Sequence, residues 1–275
     1  MRQRFNLFFS LSFLSASLFA QVGGRDQPPG SPPADAYTPP IAGRYSQGMG
    51  DEVKVLYRNE MSGGLLAHTY SGFGLNFRRG KHVTGFRKRV TEAEFTYIRN
   101  PKEVKTVNPT FDNSKGFYYG KLNSFLVFRL GTGYQNVIYS KPEKSGVEIR
   151  YVTMVGASLG IAKPVYLEIL HPDPSNPNTY SLTTERYNPA IHTIDQIYGR
   201  APYFTGFGES QIYPGGYIKL GLNFEYGSYD DDVKAIECGV VADGYYKVVP
   251  IMANTSNRQV FVAFYLNILY GRKWF

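Results

Sequence analysis

The chain ends in Gln259-Val-Phe-Val-Ala-Phe-Tyr-Leu-Asn-Ile-Leu-Tyr-Gly-Arg-Lys-Trp-Phe275. Every even position from Val260 to Tyr270 is apolar or aromatic: Val260, Val262, Phe264, Leu266, Ile268 and Tyr270. The odd positions, Gln259, Phe261, Ala263, Tyr265, Asn267 and Leu269, are mixed and keep polar side chains. A period of two marks a strand whose two faces meet different environments. The run is long enough to cross a bilayer as a tilted strand, which takes about 9–11 residues. A membrane-length strand that closes on aromatics predicts the last strand of an outer-membrane β-barrel. Phe264, Leu266, Ile268 and Tyr270 are then the row that barrel-assembly machinery reads. Phe275 is out of phase with that row, so Gly271–Phe275 is expected to be a dispensable basic, aromatic interfacial tail.

The same alternation recurs upstream. Ser62–Phe77 sets Leu65, Ala67, Phe73, Leu75 and Phe77 against His68, Tyr70 and Asn76, and is expected to be the first strand. Val90–Ile98, Lys121–Leu130, Val147–Ile161, Tyr217–Tyr226 and Val233–Tyr246 follow, with Val165–Leu170 counted as a further strand after a tight turn at Ala162-Lys163-Pro164. The total is about eight strands, the smallest size usual for a transmembrane barrel. The face opposite the apolar rows carries Glu92, Glu94, Arg129, Glu148, Arg150, Lys219 and Glu225. On a soluble β-sandwich such residues would be solvated; in a narrow barrel they can pair across the lumen as a charge network. The predicted fold is therefore all-β, a transmembrane antiparallel barrel over residues 51–275. One long outer loop, about His171–Ile212, carries a short helix signature: Asn188 as cap, Pro189 in the first turn, Gly199 as stop. Asn100–Phe117 fits badly, because it becomes a long turn on the periplasmic side.

Composition agrees with an exported barrel. The chain has 275 residues, is 16% aromatic, and uses Tyr (23), Phe (19) and Gly (29) heavily, as strands and interfacial girdles require. Residues 1–20 read as a cleavable signal peptide, with Arg2 and Arg4 before an apolar core and small residues before Gln21. Residues 21–50 form a Pro/Gly-rich periplasmic lead. The formal charge of +8 points to anionic lipid or saccharide, with no motif for nucleic acid. The single cysteine, Cys238, excludes an internal disulfide and is expected to face lipid.

The run Gly199-Arg-Ala-Pro-Tyr-Phe-Thr-Gly-Phe-Gly-Glu209 resembles a group of outer-membrane β-barrel proteins of Bacteroidota-type bacteria. So do Tyr213-Pro-Gly-Gly-Tyr-Ile-Lys-Leu-Gly-Leu-Asn-Phe-Glu-Tyr226 and the basic, aromatic ending. The resemblance implies location and architecture, and brings no catalytic residue with it.

Candidate chemistry is sparse. Arg78, Arg79, Lys81, Arg87, Lys88 and Arg89 form the densest basic stretch. Placed on the first outer turn, they would meet lipopolysaccharide phosphates, Arg bidentately and Lys as a point charge. The other reading is a solvated hairpin tip. His68, near Thr69 and Ser71, is the nearest thing to a nucleophile–base grouping, with no spacing that singles it out. Asp230-Asp231-Asp232 lacks the spaced ligands of a calcium loop. No catalytic residue, cofactor or metal is expected. The expected role is a structural or interaction component of the outer membrane. Its partners are membrane lipid, lipopolysaccharide, the assembly machinery, and a protein met through 100–117 or 171–212. A lipid A- or phospholipid-modifying barrel enzyme and a narrow channel are the alternatives.

Overall fold

The computed structural model describes residues 57–275 except 70, 112–113, 142–145, 174–175 and 228–230, and leaves out the side chains of residues 71 and 176–178. The signal peptide and the Pro/Gly-rich lead fall outside the described residues. The strands are β1 (Asn59–His68), β2 (Ser71–His82), β3 (Arg87–Ile98), β4 (Lys105–Thr106), β5 (Phe117–Tyr118), β6 (Asn123–Tyr139), β7 (Glu148–Pro164), β8 (Tyr166–Asp173), β9 (Asn176–Arg186), β10 (Ile197–Arg200), β11 (Gln211–Glu225), β12 (Asp232–Val249) and β13 (Arg258–Trp274). Eight of them close a barrel in the order β1-β13-β12-β11-β7-β6-β3-β2. Every neighbour pair is antiparallel, and β13 closes the ring on β1, from Asn59 opposite Trp274 to His68 opposite Tyr265.

The expected count of eight holds, yet two of its members were misassigned. Ser62–Phe77 is not one strand: the chain reverses at Thr69, and β1 pairs with β2. The register sets Gly63 against Phe77, Leu65 against Leu75 and Ala67 against Phe73, odd against odd. Alternation therefore runs through the hairpin without a break, and periodicity alone could not reveal it. Val165–Leu170 is not a barrel strand. β8 leaves the wall after Pro164, which has no N–H to extend the ladder, and pairs instead with β9 and β10 in a separate three-stranded sheet.

Splitting the first strand reverses the direction assigned to β3, β6 and β7. One end of the barrel, the terminal end, now holds the start of β1, the finish of β13 and the short connections 83–86, 140–147 and 226–231. The opposite end, the loop end, holds the turn at Thr69 and the connections 99–122, 165–210 and 250–257. Asn100–Phe117 thus joins the other long connection, and its misfit disappears. The basic stretch Arg78–Arg89 moves to the terminal end, opposite the long loops.

The helix signature at Asn188–Gly199 yields a single 3-10 turn, Ile194–Gln196. Asn188 Oδ1 does accept from Ala190 N at 3.0 Å, the bond expected of an N-cap, and His192 N donates to Asn188 O at 3.0 Å, but no helix continues from that turn. The tail expectation also fails: Gly271 to Trp274 lie inside β13, paired to β1 from Ser62 down to Asn59.

The barrel is apolar outside and polar within. Leu65, Phe73, Phe95, Phe128, Val155, Leu220, Ile236 and Phe264 are exposed on its outer face, Phe264 by 68%. Inside, Lys219, Glu92 and Glu237 are 0% exposed. At the loop end the lumen is plugged by Ile98, Phe125, Val127, Ala162, Tyr213, Tyr245, Val249, Ile251 and Met252. Phe125 and Val127, which spoiled the alternation of the third expected strand, belong to this plug.

Candidate functional site: a charged lumen and a loop-end sheet

Strand periodicity alone aims the central charges inward. Asn76 and Arg78 follow one another on the inner face of β2, as do Glu92 and Glu94 on β3, with Arg129 from β6, Lys219 from β11, and Glu237 and Asp243 from β12. Arg78 donates from Nη1 to Glu237 Oε2 at 2.6 Å, from Nη2 to Glu237 Oε1 at 2.9 Å, and from Nε to Glu92 Oε2 at 2.7 Å. Lys219 Nζ donates to Glu92 Oε1 at 2.7 Å and to Glu94 Oε2 at 3.0 Å. Arg129 pairs with Glu94, and its Nε and Nη2 reach Asp243 at 2.8 and 2.7 Å. Three cations thus face four carboxylates. Neutral donors make up the difference: Tyr265 Oη and Asn223 Nδ2 donate to Glu237 and Asn76 Nδ2 donates to Glu92, while His68 Nε2 stands 3.3 Å from Glu94 without hydrogen-bond geometry. Buried charge is tolerated only when it is paired and hydrogen-bonded, and here it is.

A second layer lies nearer the terminal end. Lys88 Nζ donates to Glu60 Oε2 at 2.5 Å. Arg150 pairs with Glu148 and Glu225, both at 2.6 Å, and Lys273 Nζ donates to Glu225 Oε1 at 2.5 Å. Lumen glycines give the large residues room: at Gly221 any Cβ would strike the Tyr265 hydroxyl, and at Gly131 that of Tyr217.

All seven residues expected to line the lumen, Glu92, Glu94, Arg129, Glu148, Arg150, Lys219 and Glu225, make ion pairs there. The rim expectation needs correcting on two counts. Arg78 and Lys88, counted among phosphate-binding residues, are 1% and 3% exposed and belong to the lumen layers. Arg79, Lys81, Arg87 and Arg89 do point outward, but at the terminal end, away from the long loops. Parity alone would have placed Arg78, two residues after Asn76; the local density of charge masked it. Glu60, Glu237 and Asp243 were left out of the expected network although Glu237 and Asp243 lie on the polar face of β12. Glu60 precedes the first residue assigned to a strand, and only the true start of β1 reveals it. The expected assembly row, Phe264, Leu266, Ile268 and Tyr270, is exposed along the outer wall, and Cys238 faces outward as well.

At the loop end the connections 99–122 and 165–210 pack into one body around Phe117, Leu167, Ile169, Tyr187 and Ile197. Asn108 Nδ2 donates to Ile197 O at 2.8 Å and Ser114 Oγ to Tyr198 O at 2.7 Å, tying the two segments together. Across β8 and β9, His171 Nε2 lies 2.7 Å and His192 Nε2 3.3 Å from the Glu185 carboxylate, and Thr183 Oγ1 donates to it at 2.7 Å. The Thr183 hydroxyl and then His171 hold the Glu185 carboxyl below its ordinary value of 4.5.

His68, Thr69 and Ser71 do not form a nucleophile–base pair. Thr69 Oγ1 accepts from Phe264 N at 3.1 Å in the β1–β13 seam, and His68 faces Glu94 inside the lumen. No group of three or more His, Cys, Asp or Glu side chains arranged to hold a metal ion occurs among the described residues.

No protein-family model matches the chain, and no curated protein matches it. Several solved structures are similar in fold. Ail, the attachment invasion locus protein of Yersinia pestis, matches at 11% identity and a TM-score of 0.39, over 79% of this chain and 99% of Ail. Neisserial surface protein A matches at 9% identity and 0.38, over 79% and 97%. The N-terminal β-barrel domain of Pseudomonas aeruginosa OprF matches at 7% identity and 0.36, over 78% and 99%. No residue role is carried from any of them to this chain.

Proposed function

We propose that this chain is a bacterial outer-membrane barrel with a sealed lumen, acting as a non-catalytic structural or interaction component that presents a folded sheet at its loop end. The observation that carries it is the inversion of the wall. Large apolar side chains are exposed outward on every strand, while arginine, lysine and glutamate are buried inward. In water that arrangement would be costly on both faces; in a bilayer it is favourable on both. Short connections with both strand termini at one end, and long ones at the other, favour a periplasmic terminal end and an external loop end.

Sealing follows from exposure and spacing. A side chain in an open aqueous pore would be wetted, whereas Lys219, Glu92 and Glu94 are at most 1% exposed, and the aromatic plug covers them. The channel alternative is therefore disfavoured. The barrel-enzyme alternative loses the grouping that suggested it, because His68 faces Glu94 in the lumen while Thr69 Oγ1 is taken up in the β1–β13 seam. Export through a signal peptide at residues 1–20, docking on the assembly machinery, and kinship with outer-membrane barrels of Bacteroidota-type bacteria belong to this reading and rest on the sequence motifs. Reconstitution into planar bilayers tests the sealing: the reading expects no unitary conductance, and steady single-channel steps would overturn it.

A further inference from the structure

The outer wall changes character at the loop end. Going outward along β3, β6 and β7, the apolar residues Phe95, Leu126 and Ile161 give way to Tyr97, Ser124 and Lys163. Ser124 and Lys163 stand opposite one another in the ladder. The segment 201–210 folds back over this part of the wall: Lys163 Nζ donates to Thr205 O at 3.0 Å, Ala201 N to Tyr166 O at 3.2 Å, and Tyr166 Oη to Glu209 Oε1 at 2.5 Å. Between the wall and this segment lies a pocket of about 420 Å³, lined by Lys115, Lys121, Lys163 and Arg200 together with Tyr97 and Tyr203.

The lining includes four cations and no carboxylate. Lys121 is satisfied by Glu103 at 2.6 Å and Lys115 by Glu168 at 3.4 Å, neither of which lines the pocket. Lys163 is different. It is only 5% exposed, and among the described residues its ammonium meets backbone carbonyls and the Tyr203 ring but no carboxylate. A buried ammonium without an anion is costly. Arg200 likewise has no ion pair among the described residues. Beside the pocket, Tyr203, Phe204 and Phe207 are 56%, 80% and 51% exposed. Aromatic side chains left bare next to an apolar band are characteristic of the headgroup level of a membrane.

We propose that this pocket holds the phosphate of a lipid headgroup in the leaflet at the loop end, an inference that rests on the membrane reading given above. Lys163 supplies the buried point charge, Arg200 the forked donor, and the Tyr97 and Tyr203 hydroxyls further hydrogen bonds. At the terminal end no such cluster of cations shares a pocket among the described residues: Arg89 is the one cation lining a pocket of about 360 Å³ with Tyr134, Met154 and Leu220. Arg79, Lys81 and Arg89 are exposed on the open rim.

The test uses the full mature chain in neutral detergent. Lipid retention is measured by native mass spectrometry with phosphorylated lipid A, dephosphorylated lipid A, phosphatidylglycerol or inorganic phosphate as probe. The pocket predicts selective retention of a phosphorylated lipid, weakened about tenfold by Lys163→Gln and by the exposed Arg200→Gln, since a hydrogen bond to a charged group is lost in each. Arg79→Gln, Lys81→Gln and Arg89→Gln should leave retention unchanged. Heat-modifiable migration on gels confirms that each variant keeps its barrel. Retention indifferent to removing the lipid's phosphates, or to Arg200→Gln, overturns the proposal. Equal binding of inorganic phosphate overturns the lipid as source. A wild-type chain that stays out of bilayers defeats the membrane reading itself, whereas insertion without lipid selectivity defeats only this inference.

Discussion

Arg78 on β2 grips Glu237 on β12 with both prongs of its guanidinium, at 2.6 and 2.9 Å, across the lumen of the barrel. In the ring the two strands are separated by β1 and β13. Lys219 to Glu92 and Arg129 to Asp243 likewise skip two intervening strands. Such chords brace the wall across its interior, where ladder hydrogen bonds between neighbours cannot reach.

Removing one end of a chord strands the other. Glu237→Gln should cost about 3 kcal/mol, because Arg78 keeps Glu92 but loses a buried partner. Arg78→Met should cost more, about 5 kcal/mol, since it takes a cation from two buried carboxylates at once, leaving Glu92 with Lys219 and Glu237 with the neutral donors Tyr265 and Asn223. Unfolding by guanidinium in detergent micelles measures both, and a smaller loss for Arg78→Met than for Glu237→Gln would contradict the network.

The end of β13 belongs to the seam. Deleting Arg272–Phe275 removes the residues opposite Asn59, Glu60 and Met61 and the Lys273–Glu225 pair. The deletion should therefore lower the yield of heat-modifiable barrel in the membrane fraction several-fold. Phe264→Asp and Tyr270→Asp, which put a charge on the apolar outer row, should abolish insertion. A deletion variant that accumulates like the parent would mean the seam closes without its last rungs.

Glu185 gives the loop-end sheet a dependence on pH. Its carboxyl is held below the ordinary 4.5 by Thr183 and His171, with His192 beside it. A lowered folded value means the stabilisation is in place above pH 4.5 and is lost as pH falls through the folded value. Glu185→Gln should therefore speed proteolysis within β8 and β9 at neutral pH. The difference from the parent should vanish in more acidic solution. A difference that persists undiminished well below pH 4.5, the carboxyl's ordinary value, would contradict the assignment.

Orientation is testable on intact cells, in a Cys238→Ser background. A cysteine at Thr255, in the loop-end connection, should react with an impermeant maleimide. One at Gly85, in the hairpin of the terminal end, should react only after the outer membrane is ruptured. The opposite pattern would invert the barrel.

Much of this was legible in the sequence, and the parts that were not share a cause. Period-two patterning aims each side chain in or out, so Lys219, Glu225 and the outer row of β13 could be read directly. It does not register a reversal that joins odd positions to odd, as at Thr69, and that one omission turned the basic hairpin Arg78–Arg89 to the wrong end. Nor does it tell a barrel strand from another strand. β8 alternates well enough, and only the absence of a donor at Pro164 and the pairing with β9 and β10 remove it from the wall. The loop-end pocket depends on contacts between residues far apart in the chain, such as Lys163 and Thr205, which no local pattern encodes.

The inverted wall itself is most directly tested by lipid quenching. Cys238 already faces outward and can be labelled with an environment-sensitive fluorophore without mutation. In a Cys238→Ser background, the same label is placed singly at Phe264, Tyr265, Leu266 and Asn267. In bilayers of lipids brominated on their chains, the labels at 238, 264 and 266 should be strongly quenched and those at 265 and 267 spared. Uniform quenching, or quenching of 265 and 267 instead, would contradict a barrel that is apolar outside and charged within.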